Sequence, residues 1–101
     1  MKTRSPTRSE ILSLLQEQRA ELARRYSVRS IGLFGSVARD EAGPQSDVDL
    51  LVEFESPTFD HFMDLKFYLE DLLGRPVDLV TKNALRPALR SIVLGEIRYA
   101  A

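Results

Sequence analysis

The chain has 101 residues, of which 44% are hydrophobic and 29% charged, and its formal net charge is -1. Domains usually span roughly 100 to 200 residues, so we expect residues 1–101 to form a single domain. The absence of cysteine excludes disulfides, thiolate metal sites and cysteine nucleophiles, and a single histidine, His61, excludes a histidine-rich metal site.

The first half of the chain has the pattern of a helix, a buried strand and a loop. Residues 7–10 have the capping-box form S/T-x-x-E, and apolar residues follow at largely helical spacing, which predicts a helix over residues 8–26. The short apolar run 29–34 predicts a buried strand that ends at Gly35. Residues 36–46 indicate a connecting loop with a helical start.

The second half continues the alternation of strands and helices. Residues 48–54 predict a strand that follows directly on two acids, and residues 59–73 have apolar positions at spacings of three and four, as in a helix. Residues 76–81 predict a third strand. Asn83 is predicted to cap a last helical stretch through residue 94. Helices interleaved with strands indicate an α/β domain.

Charge is distributed unevenly along this pattern. Residues 1–30 carry seven basic and three acidic residues, residues 40–71 carry one and ten, and residues 72–101 carry five and two. Duplex nucleic acid favours a continuous basic surface, so nucleic acid is a disfavoured but not excluded partner. An acidic middle suits cations, although a solvated acidic surface has the same composition. With neither a signal-peptide pattern nor an apolar run of about 18 residues, we expect a cytoplasmic protein without a membrane span.

The most informative segment is Gly35-Ser36, followed after ten residues by Asp47 and Asp49 at the start of the second strand. Alternate residues of a strand share a face, with Cα atoms roughly 6.5 to 7 Å apart, so the two aspartates can share a metal site. Magnesium is the natural ion, because it takes oxygen ligands and completes its shell with waters and substrate phosphates. The Gly35-Ser36 turn offers backbone N–H groups and a hydroxyl to a phosphate.

Asp78 repeats the pattern in the third predicted strand. If that strand neighbours the second, Asp78 adds a third carboxylate, and three carboxylates can hold two metal ions. Asp78 is also the candidate general base. A D-x-D pair or a Gly-Ser turn alone is often mere surface charge or a turn. The hypothesis depends on their combination with a third strand-borne acid.

The segments 33–39, 46–52 and 77–80 together resemble the minimal nucleotidyltransferases of the DNA polymerase beta superfamily, which include MNT-type antitoxins. The resemblance covers nearly the whole chain. It implies a mixed-sheet fold in which Asp47, Asp49 and Asp78 bind two magnesium ions while Gly35 and Ser36 contact the triphosphate of ATP. One departure is visible: this chain has Asp40 where a glycine is common, which affects the geometry of the loop.

The same resemblance implies a partner. MNT-type antitoxins pair with all-helical HEPN-type RNase toxins, which they neutralise by binding and by transferring AMP to a toxin tyrosine. We therefore expect a hetero-oligomer in which this chain adenylylates a protein hydroxyl. A nucleotidyltransferase core of this length leaves no residues for an acceptor-binding domain, so the acceptor is expected to bring its own recognition surface.

Two alternatives stay open on sequence grounds. A binding module with the same fold would neutralise its partner by contact alone, although the intact acids argue against it. A nucleotidyltransferase acting on RNA or a small molecule is disfavoured because such enzymes usually add a substrate domain. Arg39 is predicted either to approach the triphosphate or to pair with Asp40 or Glu41, and His61 is predicted to be structural. The aromatic residues of the helix at 59–73 are predicted to lie mostly in the core, with some forming a partner-binding patch.

Overall fold

The described residues form a mixed four-stranded sheet in the order β3-β2-β1-β4. The structure is a computed structural model that describes residues 6–41, 43 and 46–100. The strands are β1 (Val28–Phe34), β2 (Val48–Phe54), β3 (Val77–Thr81) and β4 (Arg98–Tyr99). β1 is antiparallel to both β2 and β4, whereas β2 and β3 are parallel.

Helices cover both faces of this sheet. They are α1 (Arg8–Glu17), α2 (Arg19–Tyr26), α3 (Gly35–Ala38), α4 (Phe59–Leu73) and α5 (Pro87–Glu96), with one 3₁₀ turn at Lys82–Ala84. Helix α4 connects the parallel pair β2 and β3, as parallel strands require a crossover. Among the described residues, no helix is both long and apolar enough to cross a membrane.

The alternation of side chains along β2 divides the apolar core into two clusters. Val48, Leu50 and Val52 belong to the main cluster, which includes buried residues of α1, α2 and α4. Leu51 belongs to a smaller cluster with Val93 of α5. Because alternate residues share a face, odd-numbered β2 residues lie on the α5 side. Asp49 is therefore on the face that α5 covers only partly.

Most of the predicted elements are confirmed. The capping box is present, with the Thr7 hydroxyl accepting from the Glu10 N–H at 3.2 Å and the Glu10 carboxylate accepting from the Thr7 N–H at 2.7 Å. Helix α4 has the predicted bounds and ends at Gly74, whose φ of 67° is a left-handed cap. The mixed α/β sheet expected from the resemblance is also confirmed.

The prediction of one helix over residues 8–26 was wrong, because the chain breaks at Gln18 into α1 and α2. Gln18 has φ -93° and ψ 6°, outside ordinary helical values. Its side-chain oxygen accepts a hydrogen bond from the hydroxyl of Tyr68 in α4 at 2.8 Å. The bend therefore coincides with a contact to a distant element, which local helical spacing does not reveal.

The predicted start of the last helix was also wrong. Asn83 lies in the 3₁₀ turn, and α5 begins at Pro87 after Arg86 in an extended conformation. Proline disfavours helical geometry at the preceding residue, and its own missing N–H is harmless only in the first turn. The tail, which had no predicted structure, contributes β4 beside β1.

Candidate active site

The two strand acids face each other across the parallel pair. In the register of β2 and β3, Asp49 lies opposite Asp78. Asp47 lies just before β2 with an exposed side chain, Asp78 is also exposed, and Asp49 is half-buried. The fold thus places Asp49 beside Asp78, with Asp47 near enough for its charge to act on Asp49, beyond the part of the sheet that α5 covers.

The Gly35 turn packs directly against Asp49. Gly35 ends β1 and begins α3 with φ 77°, in the left-handed region that favours glycine. A Cβ atom at this position would lie 2.9 Å from Cγ of Asp49 and would overlap its carboxylate oxygen. Ser36 follows in α3 and is half-buried. Glycine is required here both by conformation and by the close approach of the acid.

The environment of Asp49 favours its protonated form. Burial, followed by the negative charges of Asp78 and Asp47, raises its pKa from 3.8 to about 6, and the positive charge of Arg39 opposes this rise. Burial and like charges both disfavour an ionised carboxyl group. The carboxylates therefore repel one another as they stand, and a bound cation would relieve that repulsion.

Hydrogen bonds at the start of β2 and β3 fix the backbone that carries the acids. The Val48 N–H donates to the Pro76 carbonyl at 3.0 Å. The N–H of Val77, the residue before Asp78, donates to the Glu70 carboxylate at 3.0 Å. The Lys66 ammonium group donates to the same carboxylate oxygen at 2.9 Å. The Val77 hydrogen bond, with a smaller effect of Lys66, lowers the pKa of Glu70. The Arg75 guanidinium donates to the carbonyl of Ser46, directly before Asp47.

The conformation of the loop after α3 explains why the family that this chain resembles commonly has glycine at the position of Asp40. Asp40 has φ 62°, a left-handed conformation. Glycine adopts this conformation freely, and aspartate is among the side chains that tolerate it. The chain thus keeps the turn despite the different residue.

Arg39 and Glu96 form a contact that the sequence did not reveal. Arg39 pairs with Glu41 at 2.9 Å, one of the predicted alternatives, and its guanidinium also donates to both oxygens of Glu96 at 3.1 and 3.2 Å. The Gly35 N–H donates to the same Glu96 carboxylate at 2.8 Å. Glu96 is separated from Gly35 by 61 positions, and no motif spacing connects them.

His61 packs at the start of α4, and the aromatic residues of this helix divide evenly between partly buried and exposed positions, fewer in the core than predicted. The Nδ1 atom of His61 is 2.7 Å from the Ser56 carbonyl oxygen, and its ring stacks on Phe54 at the far end of β2. Phe62 and Tyr68 pack against the core. The aromatic side chains that stay exposed are those of Phe59 and Phe67, with 76% and 57% of their surface accessible.

The three acids suit magnesium by the chemistry of their donor atoms. Carboxylate oxygens are the ligands that this ion prefers. Within residues 6–41, 43 and 46–100, no three acidic or histidine side chains converge closely enough to hold a metal ion as they stand.

Comparison with known proteins gives one consistent result. A family model described as a nucleotidyltransferase domain matches residues 15–100. The chain is 48% identical to the protein adenylyltransferase MntA of Thermococcus cleftensis over 94 residues, which cover 92% of this chain and 95% of that protein. A solved structure of a candidate minimal nucleotidyltransferase is 39% identical with a TM-score of 0.79, covering 95% of this chain and 98% of the other.

More distant solved structures share the fold. One is a toxin–antitoxin complex with AMP-PNP, at 22% identity and a TM-score of 0.69, covering 85% of this chain and 72% of that chain. Another is a tri-AMPylated HEPN toxin of Shewanella oneidensis in complex with its MNT antitoxin, at 22% identity and a TM-score of 0.62, covering 89% and 71%. At such identity the likeness extends to the fold alone.

Proposed function

We propose that this chain, which belongs to the nucleotidyltransferase domain family, transfers the adenylyl group of ATP to a hydroxyl group of a partner protein. The observation that carries the proposal is the placement of Asp49 opposite Asp78, with Gly35 packed against Asp49. This arrangement brings a set of acids next to a backbone turn. Such a site suits the transfer of a charged phosphorus group from one oxygen atom to another.

The proposed reaction assigns a role to each side of the site. The acceptor hydroxyl oxygen attacks the α-phosphorus of ATP, the new O–P bond forms, and the bond to the bridging oxygen breaks to release pyrophosphate. Asp78 takes the hydroxyl proton, a role that its exposed position permits. Ser36 offers its hydroxyl and its backbone N–H to the phosphates of ATP, and Gly35, which has no side chain, lets the phosphates approach the turn.

Two magnesium ions, held by Asp47, Asp49 and Asp78, would neutralise the charge of the phosphates and lower the pKa of the attacking hydroxyl. With Asp49 half-buried and the other two acids exposed, one ligand is fixed by the fold while two face the solvent from which substrates arrive. The three acids therefore have distinct surroundings, and we assign binding to Asp47 and Asp49 and both binding and proton transfer to Asp78.

The nucleotide and the partner are proposed from the relatives. The MntA protein is named a protein adenylyltransferase, which favours ATP and a protein acceptor. The complexes of similar fold contain an ATP analogue in one case and an AMPylated HEPN toxin in another. We therefore propose a HEPN-type toxin as the acceptor and a hetero-oligomer as the working form of this chain.

A label-transfer experiment tests the proposal. The chain is incubated with its partner, Mg²⁺ and ATP labelled at either the α- or the γ-phosphate. Adenylyl transfer predicts label on the partner from α-labelled ATP and none from γ-labelled ATP. Label from the γ position would instead indicate phosphoryl transfer, and label from neither would contradict catalysis.

The matched control is the double variant Asp47→Asn/Asp49→Asn, which keeps the side-chain size and removes two negative charges. We expect it to bind the partner as the parent does but to transfer no label. Transfer by this variant at the parent rate would exclude these acids from the site. Single-turnover transfer by Asp78→Asn separates the third acid: we expect nucleotide binding to persist and transfer to be lost.

A further inference from the structure

Glu96 contacts both groups that border the proposed phosphate site. It is the last residue of α5, and one of its carboxylate oxygens accepts from the Gly35 N–H at 2.8 Å. The Arg39 guanidinium donates to both of its oxygens, at 3.1 and 3.2 Å. Only 20% of the Glu96 side chain is exposed, so this contact is better protected from solvent than the other ion pair of Arg39.

These contacts fix the Gly35 turn from a second side. Asp49 packs against the Cα atom of Gly35, where any Cβ would overlap it, and Glu96 holds the N–H of the same residue. A peptide with its Cα and its N–H both in contact with charged groups has little freedom to rotate. Hydrogen bonds to an ionised acceptor are also roughly twice as strong as neutral ones. The orientation of the turn thus depends on a residue outside the predicted motif.

Glu96 fixes Arg39 as well. Arg39 is 44% exposed and divides its guanidinium between Glu41 and Glu96. Long exposed side chains lose rotamer freedom when they are held in one position, and a second carboxylate helps to offset that cost. With Glu96 in place, the guanidinium stays beside the turn at the end of β1.

We propose that Glu96 is a positioning residue for the nucleotide: it holds the Gly35 turn and Arg39 in the arrangement that receives the triphosphate. This inference rests on the proposed function, because it concerns the same nucleotide site. Glu96 acts through Gly35 and Arg39 and does not itself touch the reacting atoms. Its removal therefore affects how tightly nucleotide is held more than how fast a bound nucleotide reacts.

The test measures the binding of a non-hydrolysable ATP analogue with Mg²⁺ by calorimetry, without any partner protein. Glu96→Ala is expected to weaken binding by about tenfold or more, as the loss of a charge-assisted hydrogen bond implies. Glu96→Gln keeps an acceptor for the Gly35 N–H but loses the charge that holds Arg39, so its binding should lie between that of the parent and that of Glu96→Ala. In the transfer reaction, Glu96→Gln should raise KM for ATP with kcat nearly unchanged.

Two controls separate positioning from general stability. Val93→Ala removes buried packing from the same helix but leaves the Glu96 contacts, and Glu41→Gln removes only the other ion pair of Arg39. Both should bind nucleotide within about twofold of the parent, a small difference on the affinity scale. Thermal unfolding without nucleotide identifies any variant that is not folded, and Glu96→Gln then carries the test alone.

The possible outcomes differ for the two proposals. If the parent binds no nucleotide, either alone or in complex with its partner, the proposed function itself fails. If the parent binds and both Glu96 variants bind equally well, the positioning role is overturned while the nucleotidyltransferase proposal stands. Equal weakening by Val93→Ala and Glu96→Gln would also overturn it, because Glu96 would then act only through the stability of α5.

Discussion

Individual side chains at the start of β2 determine the electrostatics of the site. The pKa of Asp49 is raised, because this side chain is half-buried and lies opposite Asp78. The side chains of Asp47 and Asp78 are exposed, so solvent screens their charges. The sequence predicted the acids themselves from the D-x-D spacing and the later strand aspartate. It did not predict which of them would be buried, because Asp49 is covered by the Gly35 turn that packs against it, a contact that the spacing does not reveal.

The raised pKa of Asp49 predicts a dependence of stability on pH when divalent cations are absent. Between about pH 4 and pH 6 the folded state holds a proton that the unfolded state has already lost, so raising the pH through this range destabilises the protein. The penalty is fully present above about pH 6 and absent below the ordinary pKa of 3.8. Allowing for partial exposure, we expect it to reach about 1 to 2 kcal/mol.

Thermal unfolding of the parent and of Asp49→Asn between about pH 4 and pH 8, with a chelator present, checks this prediction. The advantage of the variant over the parent should grow as the pH rises to about 6 and then level off. Adding Mg²⁺ should reduce the difference, since a cation stabilises the ionised form of the parent. A constant difference across the whole range would contradict the electrostatic account of Asp49.

The substitution Gly35→Ala is expected to lower the free energy of unfolding for two reasons. The left-handed conformation costs a non-glycine residue about 1 to 2 kcal/mol, and the overlap with Asp49 adds the cost of overpacking. We expect a loss of about 2 kcal/mol or more in the free energy of unfolding, together with loss of nucleotide binding. Urea denaturation and calorimetry measure the two effects, and a variant as stable as the parent would contradict the close packing of Asp49 on Gly35.

Helices and strands differ in how well the sequence predicted them. β2 and α4 were predicted with their observed bounds, because each has a long periodic apolar pattern and clear end signals at Pro57 and Gly74. The bend at Gln18 and the start of α5 at Pro87 were not. The bend at Gln18 involves a hydrogen bond from Tyr68, fifty positions away. The start of α5 shows that a proline, which disfavours helical geometry at the residue before it, outweighs the capping tendency of a nearby asparagine. β4 has two residues, too few for any periodicity.

The ends of the helices allow a paired test of glycine. Gly74 caps α4 with φ 67° and has open space around its Cα, whereas Gly95 lies within α5, also in open space. Gly74→Ala should destabilise by about 1 kcal/mol through backbone strain alone. Gly95→Ala should stabilise by up to about 1 kcal/mol, since alanine is the better helix former.

Urea denaturation of both variants measures these changes. Opposite signs are expected, and equal effects would contradict the left-handed cap at the end of α4. Gly74→Ala also calibrates Gly35→Ala, because both glycines have similar φ values but only Gly35 meets another side chain. The difference between the two variants therefore isolates the cost of the overlap with Asp49.

The arrangement of the whole sheet explains why the site lies where it does. The main core fills one face, and α5 covers the other only over Leu51, Val80 and their neighbours. Asp49 and Asp78 precede these two residues by two positions on the same face, so they lie beyond the helix. The chain then returns through β4 to the β1 edge, which brings the end of α5 to Gly35. This return links the predicted acids to Glu96, which the sequence did not identify.

The proposed site transfers AMP to a partner protein, whereas a binding module of the same fold would only bind that partner. The most direct measurement is the intact mass of the partner after incubation with the chain, ATP and Mg²⁺, followed by separation and an assay of the partner's own activity. We predict a partner heavier by one or more adenylyl groups that stays inactive after separation. The Asp47→Ala/Asp49→Ala variant should still bind the partner yet leave its mass and its activity unchanged. An unchanged partner mass with the parent chain, in a complex demonstrably formed with ATP and Mg²⁺ present, would contradict adenylyl transfer by this site.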